Sequence, residues 1–234
     1  MAHELSKAVF RWAADRRYAT RYLVGDGLDI GAGPDPLALH AEHFPLMQTC
    51  RVWDTIYGDG DAMLMEGVED ESFDFVVSSH CLEHVASPSE ALINWVRVTR
   101  PDGHLILIVP DEDRYEQGVW PSTFNPDHKF SFTIHKYHRS WCSHSRSLLT
   151  LLGGLKDVEL LKIEQLDANF RYGVPRHDQT QMLAESAIEI VLRKWTKDEL
   201  DAGGRLPIDR DQKSVMADLY ARMFPQQGRV QNAK

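Results

Sequence analysis

Cysteine is scarce in this sequence, and what there is stands apart. The three cysteines, Cys50, Cys81 and Cys142, are widely scattered and form no CxxC pair. That excludes a disulfide framework and a zinc knuckle. Long apolar runs are also missing: none approaches the roughly 20 residues a membrane-spanning helix needs. The first 23 residues form an amphipathic pattern interrupted by Glu4 and Asp15, without the apolar core of a secretory signal. They read as a helix of the folded protein, and a cytoplasmic protein free of the membrane is expected. Positive charge is in deficit, with 26 Lys and Arg against 35 Asp and Glu, a net charge of -9. That balance works against binding nucleic acid or anionic lipid. The one local basic stretch, RRYATRY at 16–22, reads as a solvated helix face. There is no internal repeat and no low-complexity tract.

What is present is an alternation of short apolar runs and helical patterns. GLDI (27–30), RVWD (51–54), FDFVVSS (73–79) and HLILIVP (104–110) are near-continuous apolar runs, as in strands of a buried parallel sheet. PLALHAEHF (36–44) opens on a proline that a first helical turn tolerates. SPSEALINWVRVT (87–99) places Ser87 as N-cap and Pro88 as first helical residue, with Ala91, Leu92, Trp95 and Val96 on one apolar face. Further on, SRSLLTLLGG reads as a helix and DVELLKIEQL as a strand. SAIEIVLRKW (186–195) reads as a last strand whose alternation suits an antiparallel edge. The pattern predicts an α/β fold with a parallel sheet. Two stretches, 111–144 and 169–181, break it. Long loops after strand ends of an open α/β sheet are where ligands bind.

The turn after the first strand, LDIGAGPD, sets Gly31 and Gly33 beside Asp29. Glycines there let backbone approach a ligand closely, and the following helix turns its free N–H groups to the same spot. A dinucleotide fingerprint wants a third small residue where this chain has Pro36, which weakens a dehydrogenase reading. Asp54 closes the second strand, where a carboxylate can accept both ribose hydroxyls. GDGDAM follows, with Asp61 and Ala62, and the strand FDFVVSS ends in HCLEHV.

In this order and spacing, LDIGAGPD, Asp54, GDA and FDFVVSSHCLEHV…EALINWVRVTRPDGHLILIVP resemble the class I S-adenosylmethionine-dependent methyltransferases, most of all the methyltransferase type 11 group. The likeness is close over about 25–112 and loose in the final strands. One departure is RPDG where the group usually has KPGG, conservative in shape. The resemblance implies a Rossmann-like, doubly wound, mostly parallel seven-stranded sheet with an antiparallel last strand and insertions after strands 5 and 6. It implies a single domain over 1–234, comprising an N-terminal helix (1–24), a cofactor-binding half (25–112), an insertion or lid (113–145), the C-terminal half of the sheet (146–195) and a polar helical tail (196–234) that includes SVMADLYARMF. S-adenosyl-L-methionine is the implied cofactor. Asp29, Gly31, Ala32 and Gly33 would hold its methionine part, Asp54 its ribose with Thr55 beside the adenine, and Asp61 and Ala62 the adenine edge. Ser79 and His80 would pass under the sulfonium.

Methyl transfer from a sulfonium needs no metal, but a hydroxyl acceptor must lose a proton, and histidine suits that task near neutral pH. Of the 11 histidines, His84 in LEHV and His128 and His135 in NPDHKFSFTIH are the candidate bases. His84 also suits a structural role at a helix start. If 128–135 is extended, His128 shares a face with Phe130, Phe132 and Ile134, and His135 lies on the opposite face. His128, His135, His138 and His144 match no zinc spacing, so no metal is expected. Tyr115, Trp120, Phe124, Phe130, Phe132 and Trp141 could stack on a substrate or anchor the insertion. The expected activity is S-adenosylmethionine-dependent methylation of a small-molecule or sugar-type acceptor, with no nucleic-acid or membrane partner. The alternatives are an RNA methyltransferase or a non-catalytic module that binds the cofactor.

Overall fold

The structure, a computed structural model, describes residues 4–136, 139–181 and 183–204. Within Met1–Thr196, which forms one compact unit, the described chain opens with α1 (Glu4–Ala14) and continues through β1 (Gly25–Ile30), β2 (Met47–Trp53), β3 (Phe73–Ser79), α2 (Pro88–Val98) and β4 (Thr99–Pro110). The insertion holds a small parallel pair, β5 (Ser131–Thr133) and β6 (Ser145–Ser147). Then come α3 (Leu148–Gly153), β7 (Val158–Leu166) and β8 (Ala187–Lys194). The second unit, Lys197–Lys234, contributes α4 (Lys197–Asp201), and the expected helix at SVMADLYARMF lies outside the described residues. Among the described residues no helix is long and apolar enough to cross a membrane.

The main sheet runs β2-β1-β3-β4-β8-β7. Its first four strands are parallel, and β8 is antiparallel to both neighbours. The α/β class, the mostly parallel sheet and the antiparallel last strand hold. Six strands are described rather than seven, for a local reason. Directly after β2, the Asp54 carboxylate accepts the Ile56 N–H (3.0 Å) and caps a 3-10 turn at Thr55–Tyr57, which left-handed Gly58 closes. No strand forms between β2 and the GDA turn. The expected helix at 36–44 is likewise a kinked 3-10 stretch, Leu37–His43. Pro45 forces Phe44 out of helical backbone, which leaves little length for an α-helix.

The helix expected at 87–99 forms as Pro88–Val98, with the Ser87 hydroxyl accepting from Glu90 N. Its Ala91, Leu92 and Trp95 are fully buried against one sheet face. Leu5, Ala8, Val9 and Trp12 of α1 recur at helical spacing and cover the other face, against Val77, Ile108 and Val191. The alternation in β8 has a different cause from the one expected: β8 is an inner strand between β4 and β7, not an edge. Its polar member Glu189 is fully buried on the α1 side, where Arg11 Nη2 (2.9 Å), Trp12 Nε1 (2.9 Å), Lys162 Nζ (2.6 Å) and the Tyr18 hydroxyl all donate to it.

Burial alone would raise the Glu189 carboxyl, but hydrogen bonds from Lys162 and Tyr18 outweigh it and hold the group below 4.5. A lowered folded value means its stabilisation is present above the ordinary carboxylate range and is lost as pH falls through the folded value. Glu189→Ala leaves Arg11 and Lys162 facing a void and should cost about 3–5 kcal/mol in urea unfolding at pH 7. That cost should shrink in the same measurement as pH falls below the ordinary carboxylate range and through the folded value, where the wild-type carboxylate also loses its charge. An unchanged unfolding midpoint at pH 7 counts against this anchoring role.

Candidate active site

The site lies at the carboxyl ends of β1, β2 and β3. After β1 the chain turns through Gly31 and Gly33, both left-handed at φ 70 and 55. A Cβ on Gly31 would sit 2.5 Å from Cys81 Cβ and Sγ, so only glycine lets this turn pack on the loop after β3. A Cβ on Gly33 would meet nothing within 4 Å, because that face of the turn is open. Gly33 N donates to Asp54 Oδ2 (2.9 Å) and Gly33 O accepts from the Tyr57 hydroxyl (2.9 Å), which locks the turn to the end of β2. Trp53 Nε1 holds Gly60 O (3.1 Å), Asp61 Oδ1 accepts Met63 N (2.7 Å), and Trp95 Nε1 holds Ala62 O (2.8 Å).

Two cavities open here. One, of about 540 Å³, lies between the Asp54–Thr55 end of β2, the Asp61–Ala62 turn and Val85. The other, of about 350 Å³, lies between the glycine turn and the loops above it, with Glu4 of α1 at its wall. Gly31, His80 and His84 line both, so the two meet at the end of β3. Asp29, Gly31, Ala32, Gly33, Ser79 and His80 border the smaller cavity; Asp54, Thr55, Asp61 and Ala62 border the larger. All ten expected cofactor residues are thus gathered around one divided hollow.

Asp29 is buried beneath the glycine turn. Its Oδ2 accepts Leu37 N (2.7 Å), the first N–H of the 3-10 stretch, and Oδ1 has no hydrogen bond. His80 adopts left-handed backbone (φ 54), which few non-glycine residues do, and its N–H is held by Ile108 O (2.9 Å). That conformation sets its ring over the buried Glu83, with Nδ1 3.3 Å from Oε1. Burial would raise the Glu83 carboxyl, but His80, His128 and His84 together hold it below its usual range.

The two irregular stretches form the upper wall. Tyr115, Phe124 and His128 come from the insertion, and Asp178, Thr180 and Gln181 from the loop near 180. Gln117 and His177 exchange two hydrogen bonds (2.9 and 3.3 Å), and Arg176 donates to Glu116 O (2.9 Å) while lying over the Phe124 ring. The loops therefore act as one piece.

His84 and His128 both line the smaller cavity. His135 does not: it is exposed and borders neither cavity. Of the four-histidine group, His144 stacks on Trp120, and His138 lies outside the described residues. Of the six aromatics, only Tyr115 and Phe124 reach the cavity. Phe132 is core, Phe130 lies under Arg146, and Trp141 binds Asp113. Glu83 was not foreseen, nor were Glu4 and Asp178. The only signal for Glu83 is an acid beside His84 in the short stretch CLEHV.

Residues 28–107 match the family described as "Methyltransferase domain". No curated protein matches the chain. A S-adenosylmethionine-dependent methyltransferase from Archaeoglobus fulgidus is similar in structure, with TM-score 0.52 at 15% identity over 82% of this chain and 95% of that one. The YcgJ protein of Bacillus subtilis is also similar, with TM-score 0.50 at 15% identity over 83% and 99%. At such identity the likeness is one of fold.

Burial pushes the Asp29 carboxyl up to about 7, the Leu37 N–H only partly offsets this, and the charges of Asp35 and Asp54 add to it. A folded value above the ordinary 3.8 means that folding takes up a proton in that window. The stability this contributes is full at the acid end and lost as pH rises through 7. In urea unfolding of the cofactor-free protein, the wild type should lose about 2–3 kcal/mol relative to Asp29→Asn between pH 5 and pH 8. Parallel curves for the two proteins would remove Asp29 as the source.

Proposed function

We propose that this chain, whose residues 28–107 match a methyltransferase domain, is an S-adenosylmethionine-dependent methyltransferase of the class I, type 11 kind and that it methylates a small-molecule or glycan-type acceptor at a hydroxyl. The residues present suit the cofactor. Gly33 leaves open space on the cavity side, and Asp29 Oδ1, Ser79 Oγ and His80 Nε2 are buried atoms without a hydrogen bond beside it. We assign the larger cavity to the adenosine half, with Asp54 accepting the ribose hydroxyls and Asp61 and Ala62 meeting the adenine edge. The methionine half takes the Asp29–Gly33 side of the smaller one. When bound, the cofactor supplies a methyl group already activated by a positively charged sulfur. The chain's own task is then to align a nucleophile, exclude water and receive a proton.

The observation that carries the acceptor reading is the wall of the smaller cavity. Its roughly 350 Å³ leaves little beyond the cofactor's methionine end, which favours a small molecule or a terminal sugar over a folded polymer. His84 and His128 stand there beside a buried carboxylate, Glu83. An amine acceptor has a lone pair once neutral; a hydroxyl must give up a proton as it attacks, and this cluster supplies groups to take it. Tyr115 and Phe124 offer ring faces of the kind sugars stack on. Acidic lining from Glu4, Asp35 and Asp178 would repel the phosphates of an RNA.

Purified protein with S-adenosylmethionine should release S-adenosylhomocysteine with members of a panel of sugar nucleotides, glycosides and small phenols, and not with transfer RNA. Turnover confined to RNA or to amines overturns the acceptor reading. Asp54→Ala should weaken S-adenosylmethionine binding by about 1.5–3 kcal/mol in calorimetry, the scale of a hydrogen bond to a charged group. Unaltered affinity in that variant removes the ribose role. His128→Ala should lower turnover by roughly 10²–10⁴ with cofactor affinity intact, whereas His135→Ala should turn over at the wild-type rate. A large loss in His135→Ala instead would move the proton-accepting group out of the cavity wall.

A further inference from the structure

Glu83, His84 and His128 each bring one ligand atom into a group whose members all lie within 4.8 Å of one another. The contacts within it are odd for a hydrogen-bonded cluster. Glu83 is fully buried; His80 Nδ1 approaches its Oε1 from one side at 3.3 Å, yet neither carboxylate oxygen has a well-formed hydrogen bond among the described residues. A buried carboxylate in that state is costly. Its Oε1 stands 3.8 Å from His128 Nε2 and 4.0 Å from His84 Nε2, too far for hydrogen bonds.

The opposite ring nitrogens are well held. His84 Nδ1 lies 3.2 Å from Asp127 O, which can only accept, and His128 Nδ1 lies 2.8 Å from Glu116 Oε1. Each Nδ1 therefore carries the ring proton, and each Nε2 of the neutral ring keeps a lone pair. Two lone pairs and a carboxylate oxygen facing one another repel unless a proton or a metal ion lies between them, and at 3.8 and 4.0 Å the gaps are too wide for a shared proton. Two atoms each about 2.1 Å from one ion lie roughly 3–4.2 Å apart, and the two oxygen–nitrogen spacings, 3.8 and 4.0 Å, fall in that range. A ligating histidine normally gives its other N–H to a carbonyl or carboxylate, as both of these do.

We propose that Glu83, His84 and His128 bind a first-row divalent transition-metal cation at the wall of the smaller cavity. Two imidazoles and one carboxylate are a borderline donor set that suits zinc, cobalt, iron or manganese and leaves coordination positions open. All three ligands line the cavity, so the open positions face the space assigned to the acceptor. A hydroxyl that reaches such an ion ionises more readily. That use rests on the proposed function, but the metal site does not. Histidine spacing in the sequence could not show it, because one ligand is a carboxylate and the third comes from the insertion.

Chelator-treated full-length protein should bind one Co²⁺ per chain, read by visible absorption and by calorimetry, and excess Zn²⁺ should bleach the absorption. Glu83→Gln and His128→Ala should each weaken binding by about 100-fold or more, since even second-sphere changes cost 10–100-fold. Those side chains are buried, so His84→Ala, at a half-exposed position, is the variant least able to fail by unfolding, and it should lose Co²⁺ equally. Glu116→Gln should fall between, and His135→Ala should bind like the wild type. Absence of a stoichiometric Co²⁺ spectrum in the wild type overturns the site, as does a spectrum that survives in both His84→Ala and Glu83→Gln. Calorimetry with S-adenosylmethionine on the same chelated protein keeps the two readings apart. Retained cofactor binding without Co²⁺ binding sinks the metal alone; loss of cofactor binding in every sample would count against the enzyme reading.

Discussion

Two N–H groups donate to one carbonyl oxygen, and the site depends on them. The backbone oxygen of Glu83, in the loop after β3, accepts Lys129 N (2.9 Å) and Phe130 N (3.2 Å) from the insertion. Without that pairing the insertion has no fixed height above the strand ends, and His128 has no reason to face Glu83. The contact is cheap in composition, since any residue has a backbone, and strict in geometry. It is braced from both sides. Glu112 N donates to Phe132 O (2.8 Å) next to β5, and Phe132 is buried in the core of the α2 face. The wall of the cavity is therefore attached to the sheet by main chain and positioned by one aromatic side chain.

The floor is set by a different economy of polar groups. Glu189 draws Arg11, Trp12, Tyr18 and Lys162 together beneath α1. The helix is held in register by hydrogen bonds as well as by its apolar stripe. From the same helix Glu4 reaches the cavity, Ser6 N and Oγ bind Asp35 beside the glycine turn (2.8 and 2.7 Å), and Lys7 Nζ binds Thr180 O and Ala184 O (2.9 and 3.2 Å). One buried acid on an inner strand thus bears on the glycine turn and on a loop of the upper wall, through a helix that touches both.

What could be read in the sequence was what is local. The Ser87–Pro88 start of α2, the apolar strands and the glycine turn each carry their signal within a few residues. The parts that were misjudged depend on longer relations. The strand missing after β2 was decided by the Asp54 side chain capping a turn, and the helix at 36–44 by Pro45 just beyond it. The alternation in β8 was read as an exposed edge because a polar residue in a strand usually faces water. Nothing near Glu189 announces that Arg11 and Trp12 will reach it. His128 and His135 were equal candidates in a strand pattern, and only the fold turns one inward. Glu83 shows the limit best. Beside it in sequence stand only Leu82 and His84, and its meaning comes from His128, which the insertion delivers.

Charge ties these parts to the chemistry. Glu4, Asp35, Glu83 and Asp178 line one small cavity, and opposite charges about 4 Å apart near a protein surface attract by about 4 kcal/mol. Even a fraction of that separates ligands by sign. On the proposed reading, a sulfonium is attracted and the neutral thioether left after transfer is not, so the same carboxylates that help to bind the cofactor let the product go. A phosphate backbone meets the reverse sign and is kept out. A sugar or phenol carries no charge to repel, and its hydroxyls can donate to the carboxylates. The acidity of the chain, which in the sequence only excluded partners, becomes selective once the fold concentrates these carboxylates, with Asp29 beside them, around one cavity.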